Sequence, residues 1–259
     1  MARMARSVLV RTAAMAVVTG VLAAGVSACG ASAGDDKHPD HRSFALHGGT
    51  LTVDSDDADL EIVAAPADKA GAVQVTRWFK GRVVVGGSPR VSWSFEDDRL
   101  KLRMHCDGFI ADCSAKYRIE VPRGIRVTVD DGNGGVQARG FAEPLSVRTG
   151  NGPVHVTDST GTLDLHSDNG AVSGDVSAPR VRAETSNGEV DLTLHRVPDH
   201  VDVTSDNGAV TVALPHAAYH VTADSDNGGV SVSVPRDDRS PHTVSADSAN
   251  GKVTVRTAN

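Results

Sequence analysis

From residue 126 onward, apolar side chains occupy every second position in short runs. Each run flanks a recurring Asn-Gly pair. The pairs are Asn133-Gly134, Asn151-Gly152, Asn169-Gly170, Asn187-Gly188, Asn207-Gly208, Asn227-Gly228 and Asn250-Gly251. Successive asparagines stand 18, 18, 18, 20, 20 and 23 residues apart. Six positions before each Asn is Val or Leu, and four before is Val, Leu or Ala. Two before is Ser or Thr, except for Asp131 in the first repeat. Three after is always Val: 136, 154, 172, 190, 210, 230 and 253. A period of two predicts strands with one buried face. Asn-Gly between two such strands predicts a tight turn, the pair supplying positive φ.

Two architectures satisfy this pattern. Each repeat is a hairpin in a sandwich or barrel, or one coil of a β-solenoid with equivalent residues stacked about 4.8 Å apart. The same residue type at the same offset in every repeat favours the solenoid, because stacked ladders require it and facing sheets would diverge. Stacked asparagines can also bond to one another along the axis. The expected fold is therefore all-β: a β-solenoid over 126–259 with coils of about 18–23 residues, preceded by an irregular β capping region over 44–125. In that region Leu51–Ile62 imitates a coil, with Asp57-Ala58-Asp59 in place of Asn-Gly. Strand-like runs follow at 72–79, 82–85, 91–95, 99–104 and 116–121, and Val121-Pro122-Arg123-Gly124 marks the start of the regular array. A solenoid end leaves strand edges unpaired and needs a cap, which the aromatic-rich first part would provide. The last coil, ending Arg256-Thr257-Ala258-Asn259, has no such cover, and this predicts end-to-end pairing of copies.

The first residues read as an address. Arg3, Arg6 and Arg11 precede an uncharged small-apolar stretch from Thr12 to Val26. That stretch is shorter than the roughly 20 apolar residues of a spanning helix and fits a secretory signal over 1–28. Val26-Ser27-Ala28-Cys29 resembles the lipobox of bacterial lipoproteins, in which the cysteine is diacylated. Two acyl chains give stable anchoring where one is marginal. Residues 29–43 are small and polar and read as a flexible tether. Of three cysteines, Cys106 and Cys113 remain after Cys29. In an oxidising compartment the short spacing predicts a disulfide that staples a hairpin end. A redox pair or two free thiols are the other readings, the spacing being wider than Cys-x-x-Cys.

Composition narrows the chemistry. Seven of nine aromatics lie before residue 118, so the repeats pack on Val, Leu, Ala and Thr. Loss of the three leader arginines takes the net charge from −7 to −10. A chain this acidic is a poor partner for nucleic acid, which demands a basic footprint. No His-Glu-x-x-His, phosphate loop or catalytic cysteine is present. Asp206 and Asp226 share an offset and would suit calcium if stacked, although turn-stabilising roles explain them. His200 and His220 also share an offset, flanked by Asp199 and Tyr219, and would make a two-ligand zinc or pH-sensing corner. Both pairs read more simply as surface side chains, so no metal or cofactor is expected. Trp78, Phe79, Trp93 and Phe95 would suit a sugar-stacking surface or, as the alternation around Trp93 favours, the core of the cap.

Together these motifs resemble the bacterial "putative adhesin" β-strand-repeat lipoproteins: Leu/Val-x-Val-x-Thr/Ser-x-Asn-Gly-x-Val-x-Val repeats, an upstream Val-Pro-x-Gly and a lipobox. The resemblance covers roughly 44–257. It implies a single-stranded β-helix on the outer face of the cell membrane, anchored by lipid, that binds or scaffolds at the envelope. It carries no catalytic residues over. A cell-wall polymer or an envelope protein is the expected partner. A sensory role in envelope homeostasis is the alternative, and a polysaccharide-acting enzyme a remote one, since enzyme β-helices use longer coils with acids along a groove.

Overall fold

The computed structural model describes residues 32–66 and 71–258. The expected lipid site at Cys29 and the expected signal over 1–28 lie outside the described residues. The first part contributes β1 (Asp40–Ala45), β2 (Thr50–Ser55), β3 (Asp59–Ala64), β4 (Ala72–Gly86), β5 (Arg90–Glu96), β6 (Arg99–His105) and β7 (Gly108–Val121). The repeats follow as strand pairs. They are β8 (Arg126–Asp131) with β9 (Val136–Arg139), β10 (Leu145–Thr149) with β11 (Val154–Thr157), and β12 (Leu163–Ser167) with β13 (Val172–Val176). Next come β14 (Arg180–Thr185) with β15 (Val190–Leu194), and β16 (His200–Ser205) with β17 (Val210–Leu214). The last two are β18 (His220–Ser225) with β19 (Val230–Val232), and β20 (Thr243–Ser248) with β21 (Val253–Thr257).

The first strand of every repeat joins one sheet and the second strand joins the other. Successive repeats pair in parallel and in register, Val147 on Leu165 and Val156 on Gly174 for example. The solenoid-like reading therefore holds over the sandwich of hairpins. Inward positions of both sheets meet in one continuous core, and Val201, Val203, Val210 and Val212 are fully buried in it. Each such side chain contributes about 2 kcal/mol by leaving water. The outward positions are polar or charged.

Two features depart from the expected order of coils. β2 and β3 form a true coil, and it is wedged between β6/β7 and β8/β9 rather than set at the end. At the other end β20 lies between β16 and β18, and β21 between β17 and β19. The expectation that the last coil forms an open end is therefore corrected: the unpaired edges belong to β18 and β19. The longer connection of residues 233–242 makes this possible. It carries the chain back over the outermost coil, with Val234 buried and Tyr219 filling the corner it crosses. Tyr219 Oη donates to Pro215 O at 2.9 Å, and Tyr219 N donates to Pro235 O at 3.0 Å.

The N-terminal end is closed by antiparallel strands. β5 covers β6, β4 covers β7, and β1 covers β4. β1 begins at Asp40, and Ala33–Asp35 forms a single 3-10 turn before it. Phe44 stacks on Phe95 at 5.1 Å, and Arg77 lies 4.3 Å above the Trp93 ring. Trp93 and Tyr117 are buried and Phe79 and Phe95 pack against the same core, so these rings are the core of the cap; Trp78 lies outside it, half-buried beneath Lys116. β4 and β7 continue beyond the cap as a two-stranded ribbon. Cys106, just before β7, is bonded to Cys113 within it, Cα to Cα 6.2 Å. An isolated two-stranded ribbon is marginal in water. Cys113→Ser is expected to cost about 2.5 kcal/mol from the lost ring closure. Hydrogen exchange should localise that loss to the ribbon amides.

Candidate binding surface

The corners at the Asn-Gly pairs are built by three stacked hydrogen-bond ladders. In the first, each asparagine Nδ2 donates to the Oδ1 of the coil below. The steps are 3.0 Å from Asn227 to Asn250, 2.9 Å to Asn207, 3.0 Å to Asn187, 2.9 Å to Asn169 and 2.7 Å to Asn151. Asn151 passes the ladder to Asn133, and Asn133 donates to the carboxylate of Asp57. All donors point toward the N-terminal end, where an anion closes the series. In the second ladder, backbone N–H groups of the turn donate to carbonyls of the coil below, as from Asn207 N to Ser186 O at 3.0 Å. In the third, buried hydroxyls two before each Asn donate to a glycine carbonyl below. Ser167 Oγ reaches Gly152 O at 2.9 Å and Thr185 Oγ1 reaches Gly170 O at 2.9 Å. Asn187→Ala is expected to lose about 1–2 kcal/mol, the worth of one or two such bonds, read as a lowered urea midpoint.

The turn glycines are not in the left-handed region. Positive φ among glycines is confined to Gly71, Gly86, Gly124 and Gly140 among the described residues. This corrects the expected reason for Asn-Gly. Glycine is needed because the coils nearly touch there: a Cβ on Gly152 or Gly208 would sit 1.8 Å from the carbonyl oxygen below.

Asp131 breaks the third ladder. Its Oδ2 accepts the Gly134 N–H, while its Oδ1 and the Ser55 Oγ opposite it are buried without a well-formed hydrogen bond. Burial pushes the Asp131 carboxyl up to about 6; the Ser55 hydroxyl beside it and the Gly134 N–H oppose this, and the charges of Asp57 and Asp59 add to it.

The metal candidates are not brought together. Thr243 stands between His200 and His220 in the sheet, and His200 Nδ1 is 2.6 Å from its Oγ1. Ala249 stands between Asp206 and Asp226, since Asp226 N donates to Ser248 O and Ala249 N to Ser205 O. The wedged coil is the reason in both cases. Chelators are expected to leave the melting temperature unchanged.

A polar groove of about 450 Å³ lies on the outer face of the second-strand sheet, near its N-terminal end. Glu61, Arg118, Glu120, Arg123, Arg139 and Asp158 line it. Arg118 pairs with Glu61, and Arg139 Nε with Asp158 Oδ2 at 2.8 Å. Arg123 differs. Its Nε donates to Ala65 O at 3.3 Å, and no carboxylate among the described residues pairs with it. A guanidinium held by its Nε presents its remaining donors in a fork suited to carboxylate or phosphate. Nothing in the sequence pattern flagged this groove, because Arg123 reads there only as part of the turn that starts the array.

Among solved structures, a "putative adhesin" from Parabacteroides distasonis is similar at 13% identity and a TM-score of 0.45, covering 87% of this chain and 98% of that one. A "putative adhesin" from Bacteroides fragilis has 15% identity and a TM-score of 0.44, covering 86% and 98%. A "putative cell adhesion protein" from Clostridium sporogenes has 12% identity and a TM-score of 0.38, covering 85% and 100%. No curated protein matches the sequence. Residues 111–259, more than half of the chain, match Toastrack DUF4097, and the chain belongs to that family.

Proposed function

We propose that the protein is an adhesin-like binding and scaffold module, held by lipid on Cys29 at the outer face of the cell membrane. Its arginine groove would grip an anionic polymer of the cell wall. The observation that carries this reading is Arg123: a positioned guanidinium in a groove, with no acidic partner among the described residues. The rest of the molecule supports it as a stiff stack with polar outer faces. The net charge, −7 for the full chain and −10 without the three leader arginines, opposes an anionic ligand at long range. That repulsion is screened beyond about 8 Å at physiological salt, whereas a charge-assisted contact in the groove acts at hydrogen-bond distance.

Sedimentation of the purified protein with isolated cell wall tests the reading. Binding should weaken with salt, and Arg123→Ala should lower affinity roughly tenfold, as loss of a bond to a charged group does. Absence of wall binding, together with altered envelope gene expression on deletion, would move the role to sensing.

A further inference from the structure

Four of the five large apolar side chains exposed among the described residues gather at one place. Val84 is 54%, Val85 63%, Phe109 75% and Ile110 66% exposed. That place is the far end of the β4–β7 ribbon, where Val85 pairs with Phe109 and Gly86 with Gly108. The segments 83–88 and 108–111 that form it contain no charged residue. Ile110 adopts φ 57° there, a left-handed conformation that is costly for a β-branched side chain. A ribbon strained at its tip and apolar on its surface, with a disulfide closing the segment that enters its second strand, marks an interaction site rather than a solvated loop.

The start of the described chain lies against the same ribbon. Ala33 N donates to Ser114 Oγ at 3.2 Å, and Phe79 N donates to Asp36 Oδ2 at 3.2 Å. Cys29 is four positions before Ala33, and a chain of that length reaches no further than about 14 Å. Phe109 is five positions before Ser114 along β7, at most about 17 Å away. Lipid on Cys29 and the apolar tip therefore fall within reach of one flat surface. We propose that the tip of the β4–β7 ribbon inserts Phe109, Ile110, Val84 and Val85 into the interface of the membrane that anchors the chain. This rests on the lipid-anchor reading above. The acyl chains set the affinity, and the tip fixes how the solenoid stands on the bilayer, at the 5–10 Å depth roughly typical of interfacial apolar groups.

The full chain, expressed with its own leader, is reconstituted in phosphatidylcholine–phosphatidylglycerol vesicles carrying lipids brominated near the headgroup. Intact mass reports the state of Cys29. Phe109→Trp is compared with Val230→Trp at the opposite end of the solenoid. The emission added by Phe109→Trp should shift to the blue and be quenched by bromine, and that added by Val230→Trp should do neither. Acylated, vesicle-bound protein with unquenched Phe109→Trp emission overturns the tip contact and leaves the anchor standing. A blue shift without quenching shows the tip covered by a second copy and overturns it equally. A mass without acyl chains on Cys29 overturns the anchor and the tip proposal with it.

Discussion

Gly208→Ala should prevent the solenoid from closing. The new Cβ would meet the Gly188 carbonyl oxygen at 1.8 Å and its carbon at 2.4 Å. Neither is a flexible side chain that can swing away. The two coils would have to part by more than 1 Å to reach the roughly 3.0 Å that real Cβ contacts require. Parting them breaks the bonds from Asn207 to Ser186 and Asn187, each 3.0 Å. It also opens the core between Val201 and Val181, which are register partners. A loss above about 4 kcal/mol belongs to this kind of event, and the readout is loss of the cooperative urea transition or of folded yield. Gly229→Ala is the control. Its Cβ would meet nothing within 4 Å, so its urea transition should match the wild type. Equal behaviour of the two variants would remove close approach as the reason for glycine at the corners.

Asp131→Ser should stabilise the protein at neutral pH. A serine there would restore the hydroxyl found at this offset in the later coils, donating to Ala58 O as Ser167 donates to Gly152 O. The ionised carboxylate cannot donate, and one of its oxygens is buried without a well-formed hydrogen bond. Its folded pKa of about 6 lies above the ordinary 3.8. For an acid shifted upward, the folded state binds the proton more tightly than the unfolded state. The wild type therefore loses stability as pH rises from about 4 to about 6, amounting to roughly 3 kcal/mol at about 1.4 kcal/mol per pK unit. The difference between variant and wild type should be small at pH 4 and near its full size at pH 7. Urea titrations at the two pH values measure it, and a difference that does not grow with pH would contradict the assignment.

The coil itself was legible in the sequence because its determinants are local. Alternation fixed the inward faces, and the constant offset of Asn and Val fixed the register. Even the imperfect coil at Leu51–Ile62 was recognisable, and Asp57 takes the place of an asparagine at the foot of the ladder. The order of coils at the two ends was not legible. Val221 and Val244 occupy the same offset, and either would stack on Val201, so the pattern is blind to which one does. The signals were weak ones: the 23-residue spacing and Tyr219, a lone large side chain among valines. The reason for glycine was also misread, since a backbone approaching from the next coil leaves no mark in the turn's own sequence. Arg123 escaped notice because its partner is the carbonyl of Ala65, 58 positions away.

The wedged last coil changes how the molecule would respond to force. An ordinary stack can be peeled from its free terminus, one strand at a time. Here a pull on residue 258 has to draw β21 from between β17 and β19, and β20 from between β16 and β18, so two seams yield together in shear. A protein tethered at one end and loaded at the other would gain resistance at the terminus where a repeat array is ordinarily weakest.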